Sequence, residues 1–407
     1  MTGTCQHRMK KDVVYLDNAA TTYPKPKQVL LAMQRFMVRT SGSPGRSGHR
    51  LSLDAGRVML DTRTALAALF GVADPLRIVL TKNATEALNI AVCGLLKPGD
   101  HAVTSSMEHN SLMRPLRAME ARGVGLSIVP CSPEGLLDPA DVIRVIRAET
   151  KAIFLTHASN VTGTIMPIAD VGGIARERGL IFCVDAAQTA GVLPIDVEAM
   201  TIDLLAFTGH KSLFGPQGTG GLYIRRGLEK KIAPVMTGGT GSRSEFEQQP
   251  DFMPDRYEAG TPNTVGYAGL EAAVRYVMGQ GVEKIRAHEQ KLTRLFLDGL
   301  EDADVEKVYG LKDPSRQAAI VSFRLRGADP AETAQQLDER FRILCRPGLH
   351  CAPSAHRTIG SYPLGTVRFS FGYFNTVGHV RAALEAVKQL SAGISSIRRQ
   401  NNLRRKR

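Results

Sequence analysis

A lysine, a carboxylate, a histidine and a cysteine stand out for the company they keep. Lys211 follows the apolar run Leu204-Leu-Ala-Phe207 and Thr-Gly-His, and precedes a stretch holding Gly215, Gly218, Gly220 and Gly221. The run has strand character, so Lys211 falls just past a strand end, where glycines let the backbone turn and approach a ligand closely. An amine there can form an imine with a carbonyl cofactor, provided desolvation or a neighbouring cation leaves it partly neutral. Thr208 and His210 supply donors beside it that suit a phosphate. From this stretch alone, Lys211 could equally be one surface lysine among many.

Asp185 ends the apolar run Leu180-Ile-Phe-Cys-Val-Asp185 and is followed by Ala-Ala-Gln188. A carboxylate in that place can simply cap the next turn. Its sharper role is to sit under the ring nitrogen of pyridoxal phosphate and keep it protonated, so that the ring can accept an electron pair. Gln188 and Asn160 could then hydrogen-bond the ring hydroxyl. Thr85, where Thr81-Lys-Asn-Ala-Thr-Glu-Ala-Leu88 passes from strand to helix, falls in a first helical turn, where free N–H groups favour a phosphate. His109, two residues before an expected helix at Leu112, reads either as a solvated loop histidine or as an aromatic plate that stacks on a cofactor ring and moves protons.

Placing these residues requires the alternation that surrounds them. Strand-like runs at 78–81, 102–105, 126–129, 152–156 and 180–185 are separated by helical patterns at 84–95, 112–122, 139–147 and 168–178. Strands apolar on both faces, alternating with helices, imply an α/β fold with a mostly parallel sheet between helical layers. Ligands in such sheets bind beyond the carboxyl ends of the strands, where Thr85, His109, Asn160, Asp185 and Lys211 all fall. Helix, strand and loop patterns beyond the Gly260-Thr-Pro-Asn-Thr264 turn describe a smaller α+β domain. The expected division is 13–262, 263–391 and a disordered basic tail at 392–407, with the first ~10 residues of the large domain packing on the small one.

The 407 residues, 43% of them hydrophobic, can bury a large core. No run of about 18 apolar residues is present, and the N-terminus lacks the apolar centre of a signal peptide, so a cytoplasmic protein is expected. The six cysteines show no paired spacing of the kind that holds zinc, and no metal is expected. The net charge of +13 invites a nucleic-acid reading, but six of those positives lie in the tail from Ile397 and no basic stripe with interleaved aromatics accompanies them.

Seven strings occur in order: 15–22, 83–86, 108–111, 159–163, 184–188, 208–211 and 259–264. Together, over about residues 13–391, the chain resembles the cysteine desulfurases of the class V aminotransferase fold. The resemblance implies pyridoxal 5'-phosphate fold type I, with Lys211 binding the cofactor and abstracting the substrate α-proton. It implies that His109 stacks on the ring, Asp185 pairs with its nitrogen, and Asn160 and Gln188 contact its hydroxyl side. Thr85, Thr208 and His210 would bind the phosphate, and Thr261 would reach the phosphate of the partner subunit in a two-fold homodimer. The stretch Leu344-Cys-Arg-Pro-Gly-Leu-His-Cys-Ala-Pro353 resembles the shorter catalytic loop of the SufS-like group. There Cys351 would take sulfur from L-cysteine as a persulfide and release alanine, its thiolate favoured by Arg346 and His350. Arg368 would hold the substrate carboxylate bidentately, with Arg346 nearby. The Arg346-Pro-Gly-Leu sequence departs from relatives, which commonly have threonine or serine and a second histidine here. A sulfur-acceptor protein is an expected partner, and a membrane or nucleic acid is not. Selenocysteine lyase and other class V lyases or aminotransferases use the same scaffold, so the fold alone does not fix the reaction.

Overall fold

The computed structural model describes residues 13–45 and 48–405, with side chains through 394. The segment expected to lack a signal peptide lies outside the described residues. In chain order the elements are β1 (Val14–Tyr15), α1 (Lys27–Arg39), α2 (Arg50–Phe70), β2 (Ile78–Thr81), α3 (Ala84–Leu95), β3 (His101–Ser105), α4 (Asn110–Glu120) and β4 (Gly125–Val129). There follow α5 (Pro139–Val145), β5 (Thr150–Thr156), α6 (Ile168–Glu177), β6 (Ile181–Asp185), β7 (Leu204–Thr208) and β8 (Gly220–Ile224). The remainder is α7 (Thr264–Gln280), α8 (Val282–Leu300), β9 (Val305–Tyr309), β10 (Ile320–Leu325), α9 (Pro330–Phe341), β11 (Ile343–Leu344), β12 (Arg346–Gly348), α10 (Pro353–Thr358), β13 (Thr366–Ser370) and α11 (Val377–Arg405).

The expected α/β sheet is present. Seven strands run in the order β2-β8-β7-β6-β5-β3-β4, parallel except that β8 lies antiparallel to both β2 and β7. Strands β2, β3, β6, β7 and β8 are buried along their whole length, and separate apolar clusters lie on the two sides of the sheet. Phe207 is completely enclosed, a burial that stabilises the fold by about 1.5–3 kcal/mol.

Strand β8 is the element that the sequence conceals, because its Gly220-Gly221 opening reads as a loop. The glycines are steric necessities. A Cβ on Gly221 would meet the Phe207 ring at 2.4 Å, and one on Gly220 would lie 2.7 Å from the Phe207 carbonyl oxygen and 2.8 Å from Asn83 Cα. Their absence of side chains lets the start of α3 come down onto the sheet, beside the end of β7.

A second sheet, β12-β13-β10-β9, is antiparallel and packs against α8, α9 and α11 around Phe296, Phe323 and Phe369. Strand β1 leaves the large unit, pairs in parallel with β11, and places Leu16 in this smaller core. Helix α7 packs on α1 and α2, and Tyr267, Leu270 and Val274 join the large core. That packing argues for a boundary at Gly281 rather than at 262/263. Helix α11 continues to Arg405, where the sequence suggests an irregular tail from 392. The turn leading into α7 is held by Glu258, which accepts from Arg63 Nη1 and Nη2 at 2.8 and 2.7 Å and from Leu80 N at 2.6 Å. Removing either partner of so buried a pair costs about 3–5 kcal/mol.

Candidate active site

Eleven of the twelve residues assigned to cofactor, substrate or sulfur meet in one cavity of about 270 Å³ at the carboxyl ends of the parallel strands, which His350 also lines. The large unit contributes Thr85, His109, Asn160, Asp185, Gln188, Thr208, His210 and Lys211; the small unit contributes Arg346, Cys351 and Arg368. Thr261 is exposed and does not line the cavity of its own chain.

Lys211 stands three residues past the end of β7. Burial lowers its pKa to about 8; Arg368 and Arg346 push the same way, while Asp185 opposes them. A substantial neutral fraction of the amine therefore exists near pH 8. Asp185 closes β6, and its Oδ1 accepts from Ala187 N at 2.9 Å. Burial raises its pKa, which the Ala187 bond and the Lys211 charge partly counter.

His109 is not two residues ahead of a helix, as the sequence suggests, but is the N-cap of α4. Its Nδ1 accepts from Ser111 N at 3.0 Å and lies 2.9 Å from Ser111 Oγ. Burial, then the charge of Lys211, lowers the imidazole to about 4. The ring is thus neutral, its Nδ1 is an acceptor, and the proton resides on Nε2. Ser111, inside the string 108–111 but given no role by the sequence, also places its Oγ 2.7 Å from Thr85 Oγ1, tying the starts of α3 and α4 together. Beneath them Glu108 is fully buried, its carboxylate accepting from Ser105 Oγ at 2.6 Å and Thr156 N at 2.8 Å. Burial raises its pKa to about 8.

On the opposite wall, Arg346 Nη2 lies 3.8 Å from the exposed Cys351 Sγ. His350 does not add a second positive charge there, as the sequence suggests. Its ring is turned away to the Arg346 carbonyl at 3.0 Å, and burial with the Arg368 charge holds it well below the ordinary imidazole range. Arg368, almost fully buried, donates from Nη1 to the Asn160 carbonyl at 3.0 Å and from Nη2 to Asp17 Oδ1 at 2.8 Å. Asp17, inside the first of the seven strings, is a site residue that its charge and position next to Asn18 did not reveal.

The family model Aminotransferase class-V matches residues 14–382, most of the chain. The chain belongs to the class-V aminotransferase family. Among its relatives, this class-V protein is 34% identical to a probable cysteine desulfurase of Methanothermobacter thermautotrophicus, over 94% of this chain and 95% of that one. It is likewise 34% identical to a probable cysteine desulfurase of Pyrococcus abyssi, over 95% and 96%. The solved apo cysteine desulfurase of Thermococcus onnurineus NA1 superposes with a TM-score of 0.88 at 35% identity, covering 94% and 95% of the two chains. The cysteine desulfurase CsdA of Escherichia coli does so with a TM-score of 0.81 at 29% identity, over 93% and 94%.

Class-V aminotransferases have pyridoxal-phosphate fold type I and depend on that cofactor, and the cavity has the unfilled valences to receive it. Asn160 Oδ1, His210 Nδ1 and Arg368 Nε are buried polar atoms without a partner, and all three residues line this one cavity. Buried polar atoms are normally paired, so three orphans on residues that line one space fit a polar occupant. Asn160 gives its Nδ2 to the His350 carbonyl at 2.7 Å, which fixes the amide and leaves Oδ1 as an acceptor.

Proposed function

We propose that the protein is a cysteine desulfurase that converts L-cysteine to L-alanine and receives the sulfur on Cys351. The observation that carries this reading is the Cys351 thiol in the same cavity as Lys211, with an arginine 3.8 Å from its sulfur. Transamination needs no such thiol; sulfur abstraction needs a nucleophile to take the atom.

Pyridoxal phosphate, when bound, supplies the electron sink for a substrate carbanion. The protein's side chains do the rest. Asp185 would hold a proton at the ring nitrogen, and His109, a neutral imidazole with its proton on Nε2, would pack on the ring. Asn160 and Gln188 take the hydroxyl side, and Thr85, Thr208 and His210 take the phosphate beside the start of α3. Lys211 binds the cofactor and moves the α-proton of the substrate, a task suited to an amine lowered to about 8. Arg368, lining the same cavity, holds the substrate carboxylate. Cys351 presents its sulfur 3.8 Å from the Arg346 guanidinium. The exchange balances without an oxidant: L-cysteine and the thiol give L-alanine and an enzyme persulfide.

The same reading makes the protein a cytoplasmic two-fold dimer that passes its persulfide sulfur to an acceptor protein. Leu30, Leu31, Met37 and Val38 on α1 and Leu51, Leu53 and Leu60 on α2 are exposed, an apolar surface of the kind that subunits cover. Thr261 on its exposed turn is then available to a partner's cofactor phosphate. No helix among the described residues is long and apolar enough to cross a membrane.

The deciding experiment incubates the purified, cofactor-loaded protein with L-cysteine and, separately, L-selenocysteine. Alanine with stoichiometric protein persulfide from cysteine is the expected result. Alanine from selenocysteine alone overturns the reading in favour of a lyase.

A further inference from the structure

We propose that His356 is a positioning residue for the Cys351 thiol: its imidazole fixes the ring of His350, which fixes the strand and turn that present the sulfur to the cavity. The reaction it serves is the desulfurase reading above.

The direction of every bond in the chain can be deduced. The Arg346 carbonyl only accepts, so His350 Nε2, 3.0 Å away, carries a proton. The His350 ring is neutral, so its Nδ1 is an acceptor, and His356 Nε2 at 3.3 Å must be the donor. That leaves His356 Nδ1 to accept, and the Ser361 hydroxyl lies 2.7 Å from it. His356 is 0% exposed, Ser361 1% and His350 4%, so water does not replace a lost partner. Both rings therefore hold one tautomer, set from Ser361 toward Arg346.

What the chain holds is a strained turn, closed by its own bond from Ala352 N to the Leu349 carbonyl at 2.9 Å. His350 and Cys351 are consecutive non-glycine residues at φ 49° and 58°, in the left-handed region that side chains disfavour. Such a turn persists only where its surroundings over-determine it. Two supports come from the large unit: Asn110 N donates to the Cys351 carbonyl at 2.8 Å, and Asn160 Nδ2 to the His350 carbonyl at 2.7 Å. The third is the His350 ring, which ties the turn back to β12, where Arg346 faces the sulfur. His356, on α10 just beyond the thiol, supplies the only donor to His350 Nδ1 that the hydrogen bonds of the described residues include. It lines no part of the cavity, so its effect reaches the reaction through the turn it holds, by way of His350 and of its own contacts with Leu349 and Ala352.

The test compares holoenzymes of wild type, His356→Phe, His356→Gln and Ser361→Ala. Phenylalanine keeps the ring volume without a donor; glutamine carries an amide N–H where His356 has Nε2–H. In His356→Phe, kcat for desulfuration should fall roughly tenfold to a hundredfold, the scale expected for an unsatisfied buried acceptor. KM for cysteine and cofactor content should stay within about twofold, and His356→Gln should recover most of kcat. Amide hydrogen exchange of segment 346–352 should quicken in His356→Phe and return toward wild type in His356→Gln. Unchanged kcat in His356→Phe, or equal losses in the phenylalanine and glutamine variants, overturns the proposal. Should His356→Phe fail to fold, Ser361→Ala decides: a lower kcat at unchanged KM supports it, and an unchanged kcat overturns it. If wild type forms no persulfide, the desulfurase reading fails by itself, and the exchange pattern still upholds or overturns the positioning role.

Discussion

Arg368 Nη2 donates to Asp17 Oδ1 at 2.8 Å, while the buried Nε of the same guanidinium has no partner. With Nη1 on the Asn160 carbonyl as well, the planar fork is anchored beside the cavity and one donor is left unpaired. Arg368→Lys removes that fork and its fixed geometry, a loss of about 1.5–3 kcal/mol for a charged hydrogen-bonding partner. Steady-state kinetics should show this as a rise in KM for cysteine of roughly ten- to a hundredfold at near-normal cofactor content. An unchanged KM would remove Arg368 from the substrate carboxylate.

Lys211 should capture the cofactor in a pH-dependent way. Its amine is lowered to about 8, so the neutral, nucleophilic fraction grows as pH rises through that value. The rate at which apoprotein gains the visible absorbance of lysine-bound cofactor should climb between about pH 7 and 9 and then level off. Lys211→Ala should show no such absorbance and no turnover. Borohydride reduction and peptide mapping locate the label; a label on any other lysine contradicts the assignment.

Asp185 should matter to activity and not to folding. Burial raises its folded pKa, so protonation is favoured in the fold and the carboxylate becomes a liability as pH rises through that raised value. Asp185→Asn removes the buried charge. The melting temperature of the apoprotein at neutral pH should therefore hold or rise, while turnover falls by about 100-fold or more. Near-normal turnover would show that the ring nitrogen needs no carboxylate.

Cys351→Ser should still bind cysteine, with a change in the visible spectrum, and release no alanine at a useful rate. Cofactor content should be unchanged, because the thiol holds no part of it. Cys345 provides the control. It lies between β11 and β12, and burial pushes its thiol up to about 12, so it is inert at neutral pH. Cys345→Ser should retain turnover close to wild type. Full desulfuration by Cys351→Ser would mean that the sulfur acceptor lies elsewhere.

The dimer can be tested through Thr261. Sedimentation at micromolar concentration should give twice the chain mass. Thr261→Ala should weaken cofactor retention without changing that mass, by the roughly 1 kcal/mol of one phosphate hydrogen bond. A fully active monomer rejects both the dimer and the shared site.

The sequence alone determined the sheet strands that end in chemistry. Apolar runs closed by Asp185, Thr208 and Thr156 are legible because strands buried on both faces leave no polar alternative before their ends. The same runs, with the short strings at their ends, also named eleven of the residues that line the cavity. Tertiary structure decided what local pattern cannot carry. Strand β8 is hidden because its glycines answer to Phe207 and Asn83, which are remote in sequence. His109 becomes a helix cap through Ser111, a matter of backbone geometry that composition does not record. Asp17 and Arg368 meet across 351 residues, and the contact of Arg346 with the Cys351 sulfur depends on a turn in the left-handed region. Even the role of His350 was reversed: adjacency in sequence put it beside the thiol, while burial and its bonds to Arg346 and His356 turned it away and made it neutral.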